Sequence, residues 1–268
     1  MNGVEQTGAL AFVGPGRAGT TIAAALVDAG WRVVAVAGRS PDATSTRAAA
    51  QRFGAPAVAV EDAGCDADLV IIATPDAAID ATAARLVSGL HADALVVHLS
   101  GARGLDALSS VPGRVGALHP LQTLPSLDAG RAQLAGAWCA IAGDPQVRDL
   151  ATALGLHAVE VADADRVRYH AAACIASNHL VALLDQVERV SPIPLAAFLP
   201  LMRATVDNVS TLGAVAALTG AVARGDVETV RRHQAVLTGS DLDAYRALAR
   251  LALQLTARDD AEMEAALR

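Results

Sequence analysis

Two stretches concentrate the side chains able to move a proton: GALHPLQTLPS, with His119, Gln122 and Thr123, and RYHAAACIASNHL, with His170, Cys174, Ser177 and Asn178. A hydride delivered to a carbonyl carbon leaves a developing alkoxide, which needs a proton donor or a hydrogen-bonding cradle. Lysine cannot serve, because all 21 Lys/Arg positions are arginine. His119 and His170 are therefore rival proton donors, and Gln122, Ser177 and Asn178 would orient a substrate. His119 follows a strand-like run, with Pro120 fixing the turn; a histidine beside a proline is also a common structural residue. Helical spacing stacks His170, Cys174 and Ser177 on one face, with Asn178 beside it, an arrangement that suits either a ligand or a partner helix. Cys174 lies mid-helix without an activating cation and reads as packing. His170 with Cys174 lacks a clear third ligand, so no metal site is expected.

What would bring a hydride there is written nearer the N-terminus. In FVGPGRAGTT, Gly14, Gly16 and Gly19 form G-x-G-x-x-G, with Pro15, Arg17 and Ala18 between them. A strand precedes, a helix over about 20–29 follows, and a second strand begins at Val33. This βαβ context is what a dinucleotide-binding loop requires, with a pyrophosphate on the helix N-terminus. The second strand ends on Gly38-Arg39-Ser40 rather than on the Asp or Glu that holds a ribose hydroxyl pair. A guanidinium and a hydroxyl there suit a 2′-phosphate, so NADP(H) is the expected cofactor. The strand ends IIATPD and VVHLSG place Thr74, Pro75, Ser100 and Gly101 beside the nicotinamide half, although Pro75 and Gly101 also serve as plain turn residues.

The elements that must position these groups divide the chain in two. From residue 9 to about 160, apolar runs such as ALAFVG, RVVAVAG, PAVAV, DLVIIATP, ALVVHLSG, RVGALHP, WCAIAG and HAVEV alternate with helical stretches. Near-continuous apolar runs fit strands buried on both faces. The reading is an α/β, Rossmann-type, doubly wound and mainly parallel sheet over 1–162, followed by an all-helical domain over 163–268. Gly213, Gly220 and Gly225 interrupt its helices, and Asn208, Thr219 and Arg224 are further candidate substrate contacts.

Composition narrows the partners. The 268-residue chain is 53% hydrophobic and 18% charged, which excludes a disordered protein. A formal charge of −7 without a basic block argues against nucleic acid or an anionic membrane. Cys65, Cys139 and Cys174 are too few and too scattered for a disulfide framework. No signal-peptide pattern or bilayer-length apolar run is present, so a cytoplasmic protein is expected.

Taken together, GxGxxG, ATPD, HLSGA, LHPLQT, YHAAA…ASN and LTG…ARGD resemble a group of bacterial Rossmann-like oxidoreductases with a helical C-terminal domain. That group is similar to the wider superfamily of 6-phosphogluconate, prephenate and ketopantoate dehydrogenases, pyrroline-carboxylate reductases and deazaflavin-dependent NADP reductases. The resemblance implies an NADP-dependent reductase of a small polar carbonyl, ketopantoate leading, in a homodimer joined through the helical half. Cys174 stands one turn before Asn178, where common ketopantoate reductases carry a catalytic lysine. Imine reduction, deazaflavin-linked hydride transfer and a non-catalytic NADP sensor are the alternatives.

Overall fold

The computed structural model describes residues 8–268; the first seven residues, part of the stretch read as lacking a signal peptide, lie outside them. All eight apolar runs form strands: β1 (Gly8–Val13), β2 (Trp31–Ala37), β3 (Ala57–Val58), β4 (Leu69–Ile72), β5 (Leu95–His98), β6 (Arg114–Pro120), β7 (Trp138–Gly143) and β8 (His157–Glu160). They join in one sheet, ordered β3-β2-β1-β4-β5-β6-β7-β8, in which only the β6–β7 pair is antiparallel. Pro120 is the last residue of β6, opposite Cys139, rather than a turn residue. Having no N–H, it closes the strand, and pairing resumes through Leu121 N–H to the Trp138 carbonyl.

Alternate residues of the central strands serve two cores, which is why their sequences are apolar without a period of two. Leu10, Phe12, Leu69, Ile71, Leu95 and Val97 face one side, where α1 (Arg17–Asp28), α2 (Thr44–Phe53), α4 (Leu127–Leu134) and α5 (Gln146–Ala153) contribute apolar residues. Ala11, Val13, Val70, Ile72 and Val96 face the other, covered by α3 (Ile79–Leu86) through Ile79, Ala83 and Leu86.

Contacts divide the chain after Ser177. Helix α6 (Asp163–Cys174), expected to open the second domain, packs with the first: Asp163 caps the turn at Leu105, and Arg166 reaches the Ser100 carbonyl. The second unit contains α7 (Leu180–Val190), α8 (Leu199–Leu212), short α9 (Ala214–Ala217) and α10 (Ala221–Arg224), then α11 (Val227–Ala235), α12 (Gly239–Leu255) and α13 (Ala261–Ala266). Among the described residues no strand follows β8. Val230, Ala249, Leu253, Met263 and Leu267 build its small core. Gly213 ends α8 at φ +79°, and Gly225 ends α10 in the left-handed region. Asn208, Thr219 and Arg224 are exposed surface positions. Among the described residues, no helix is long and apolar enough to cross a membrane, and no group of three or more His, Cys, Asp or Glu is placed to hold a metal ion.

Candidate active site

Because β1, β2, β4, β5 and β6 are parallel, their carboxyl ends share one edge of the sheet, and the connections reverse direction between β1 and β4. Ligands of open α/β sheets bind in the crevice at such a reversal. Gly14 stands there at φ +99°, where a Cβ would lie 2.6 Å from the Ala73 carbonyl carbon and oxygen. At Gly19 a Cβ would strike the Gly14 carbonyl oxygen, so this glycine lets α1 pack against the loop. Gly16 differs: a Cβ there meets nothing within 4 Å. It caps α1, which has no side-chain cap and no acidic residue in its first turn. An exposed, Cβ-free helix N-terminus of this kind suits a pyrophosphate.

The rest of the crevice is consistent with that fit. Pro15 and Ala18 are half-buried beside the loop, whereas Arg17, Arg39 and Ser40 are exposed. Neither arginine forms an ion pair among the described residues. The buried hydroxyls of Thr46 and Thr74 lack hydrogen-bond partners; Thr46 lies under Gly38 at the end of β2. Pro75 is exposed and leads into a short 3-10 turn. Ser100 is buried, and its Oγ accepts from the N–H groups of Ala102 and Arg103, so it shapes the loop after β5.

That loop brings the two predicted histidines together. His119 and His170 have ring centroids 5.8 Å apart at 75°, and Gly101 lies against both: a Cβ there would be 2.6 Å from His170 Cδ2 and 2.9 Å from His119 Nε2. A third residue joins them, Tyr169, whose hydroxyl is 2.9 Å from His119 Nδ1. His119 Nε2 has no hydrogen-bond partner among the described residues. Beneath the cluster, His98 Nδ1 accepts from the Ser100 N–H, and its Nε2 donates to the Gly104 carbonyl at 3.2 Å. Arg166 is fully buried, its Nη1 donating to the Ser100 carbonyl while Nε and Nη2 lack hydrogen-bond partners.

The remaining candidates are placed differently. Gln122 turns to the loop and to α4, donating to the Gln133 carbonyl and accepting from the Thr123 N–H. Its amide is thereby committed away from the histidine cluster. Cys174 Sγ lies 3.9 Å from His170 Nδ1, as i, i+4 stacking predicts. Ser177 and Asn178 lie in a π-helical turn, Ile175–His179, which breaks the assumed helical phase. The division of the chain falls between them, and only Ser177 belongs with the histidines' unit.

Burial dominates the electrostatics. It lowers His119 to about 4, assisted by His170 and Arg166, and lowers His98 to about 4, assisted by Arg166. Burial also raises Tyr169 and Cys139 to about 12 and lowers Arg166. At neutral pH the His119–Tyr169 pair is uncharged while arginine keeps its proton. A stability effect follows. An unfolded histidine titrates near 6.5, so below that pH the unfolded chain binds protons that folded His98 and His119 refuse. Their contribution is intact above pH 6.5 and lost as pH falls to about 4, on the order of 1 kcal/mol per pH unit for each ring. Urea midpoints measured from pH 7 to pH 4 should drop steeply, and His119→Ala should flatten the slope.

The comparisons bear on the fold. Residues 5–125 match the family model of a Rossmann-like domain, and residues 138–252 match a domain of unknown function, DUF2520. The chain joins a Rossmann-like domain to a DUF2520 domain. No curated protein sequence matches it. Among solved structures, it is similar to BF3122 of Bacteroides fragilis, provisionally named an NADP oxidoreductase. The two share 24% identity and a TM-score of 0.79 over 94% of this chain and 100% of that one. Protein TM1727 from Thermotoga maritima shares 26% identity and a TM-score of 0.72 over 92% and 98%. A reductive aminase from Aspergillus terreus, solved with NADPH and ethyl levulinate, shares 15% identity and a TM-score of 0.66 over 98% and 100%. The likeness to these structures is one of fold; the glycine loop and His119 fall within the Rossmann-like match, and His170 falls within the DUF2520 match.

Proposed function

We propose that the protein is an NADPH-dependent reductase of a small polar carbonyl compound, with ketopantoate the substrate to test first. The observation that carries this reading is the uncharged His119–Tyr169 pair, which shares the carboxyl edge of the sheet with an uncapped glycine loop. Gly14, Gly16 and Gly19 would admit the pyrophosphate, Arg17, Arg39 and Ser40 the 2′-phosphate, and Thr74, Pro75 and Gly101 would border the nicotinamide. When bound, the reduced nicotinamide supplies the hydride. His119 then offers a proton to the alkoxide, and His170, across Gly101, is the rival donor.

A carbonyl suits this site better than an iminium ion. Reduction of a carbonyl creates negative charge, which a neutral acid and the buried Arg166 cation both favour, whereas a cationic iminium would be repelled by that guanidinium. Imine reduction is the second reading, favoured by the likeness to the reductive aminase. The test follows nicotinamide absorbance with NADPH and ketopantoate, with pyrroline carboxylate as the imine and NADH as the paired cofactor. Saturable, NADPH-selective turnover of ketopantoate supports the proposal. Turnover of the imine alone transfers it to the second reading, and tight NADPH binding without turnover favours a cofactor sensor.

Cofactor choice gives a separate prediction. A charge-assisted hydrogen bond contributes about 1.5–3 kcal/mol, so Arg39→Ala should weaken NADPH binding by roughly 10- to 100-fold. NADH affinity should stay unchanged, as titration calorimetry would show. For a partner we propose a second copy of the chain, joined through the helical unit. There Val181, Leu201, Val206 and Val215 are each 61–66% exposed, more apolar surface than a lone helix usually leaves in water. Sedimentation equilibrium would read a dimer. The three free cysteines support a reducing, cytoplasmic setting.

A further inference from the structure

Arg166 is the largest fully buried side chain of the described residues, and two of its three nitrogens lack a hydrogen-bond partner. Buried polar groups are nearly always hydrogen-bonded, because leaving one bare costs free energy. Its nearest carboxylate, Asp163, is an incomplete counter-charge: the Nε to Oδ1 separation is 3.4 Å, and Asp163 also accepts from the Leu105 N–H. One turn further along α6 stands Tyr169, whose hydroxyl meets His119 Nδ1 at 2.9 Å. An under-neutralised cation therefore lies one helical turn from a phenol that shares a hydrogen bond with the candidate acid.

We propose that Arg166 is a positioning residue, whose buried guanidinium balances the negative charge that develops on Tyr169 Oη as Tyr169 passes its proton through His119 to the substrate. The proposal rests on the reductase reading. The relay balances as follows. Hydride addition forms a C–H bond at the carbonyl carbon, the nicotinamide is oxidised, and the carbonyl π pair moves to oxygen. That oxygen takes the proton from His119 Nε2, which lies beside Gly101. His119 Nδ1 takes the Tyr169 proton, leaving a phenolate opposite Arg166 until solvent restores it. The groups whose charges reach the pair are His170 and Arg166 from α6, His98 from β5, Asp76 from the turn after β4, and Cys139 from β7. Of these, Arg166 is the basic group whose charge acts on the phenol itself, so the counter-charge falls to it. Burial lowers His119 in the same direction as the arginine does, consistent with a ring that conducts a proton without storing one.

The test uses four variants of the intact chain, Arg166→Met, Arg166→Lys, Tyr169→Phe and, for assignment, His119→Ala, with NADPH and ketopantoate as probes. The first readout needs no turnover: the titration of the His119 imidazole followed by NMR, assigned by its loss in His119→Ala. Removing the neighbouring charge in Arg166→Met should raise that titration by about one pH unit, and Arg166→Lys should leave it near wild type. The second readout is turnover. Arg166→Met should lower kcat about tenfold and Tyr169→Phe about 100-fold, both without change in NADPH affinity. If Arg166→Met does not fold, Tyr169→Phe still decides the relay. Wild-type kcat in Tyr169→Phe, or an unmoved His119 titration in folded Arg166→Met, overturns this proposal and leaves the reductase reading standing. A wild-type protein that reduces no carbonyl overturns both.

Discussion

Replacing His119 with alanine is expected to lower kcat for carbonyl reduction by about 10²–10⁴-fold, the usual effect of removing a placed proton donor. NADPH affinity should hold, because the ring contacts Tyr169, His170 and Gly101 rather than the glycine loop. His170→Ala provides the contrast. If His119 is the donor, His170→Ala should retain most of the turnover, since His170 meets Cys174 and the His119 ring but makes no hydrogen bond to Tyr169. Reversed outcomes would move the donor to His170. Stopped-flow measurement of the hydride step, with cofactor binding read by fluorescence, separates the two. Full turnover in both folded variants would remove the histidines from the chemistry.

The second large effect belongs to the glycine loop, where two alanine substitutions should behave in opposite ways. Gly14→Ala puts a methyl group 2.6 Å from the Ala73 carbonyl in a backbone conformation, φ +99°, that L-residues disfavour. It should lower the melting midpoint whether or not a cofactor is present, at a conformational cost alone of about 1–2 kcal/mol. Gly16→Ala meets nothing within 4 Å and lies at φ −83°, so the free protein should melt as before. The added methyl group would instead occupy space in front of the α1 N-terminus, and NADPH affinity should fall by roughly 100-fold or more, or about 2.7 kcal/mol. Unchanged affinity in Gly16→Ala would mean that the loop is a strand-to-helix turn without a ligand.

Much of this was legible along the chain, and what escaped has a physical cause. The strands could be read because burial on both faces makes every residue of LVII, 69–72, and ALVV, 94–97, apolar, a signal carried by neighbours. The loop could be read because Gly14 and Gly19 have steric reasons that no other residue satisfies. The convergence of His119 and His170 was available only as a list of rivals, since nothing local says that β6 and α6 meet. Tyr169, Arg166 and His98 were missed. Their partners lie 50, 66 and 6 residues away, and their roles arise from burial that a single sequence does not display. Arg166 stands three residues before Tyr169, and that spacing was the one available hint. Gln122 misled because an amide next to His119 is indistinguishable in sequence from one that bonds α4. The π-helical turn misled for a similar reason: i, i+3 and i, i+4 counting assumes an α-helical phase that Ile175–His179 does not keep.

The reversal of β7 against β6 decides how α6 arrives. Since β8 runs parallel to β7 and its last residue, Glu160, stands level with Ile141 and through it with Leu118, the chain leaves the sheet beside the carboxyl end of β5. Helix α6 then runs along the residues that follow β5, meeting Leu105 with Asp163, Ser100 with Arg166, and finally His119 with Tyr169. It works as a ruler whose zero is pinned by Asp163 and whose reading is taken at Tyr169, six positions or about 9 Å along at 1.5 Å per residue. A ruler of this kind tolerates change in what it is made of but not in its divisions. Substitutions on its outer face would leave the reading intact, whereas one residue inserted between Asp163 and Arg166 would swing the tyrosine about 100° around the axis and take the histidine's partner out of reach.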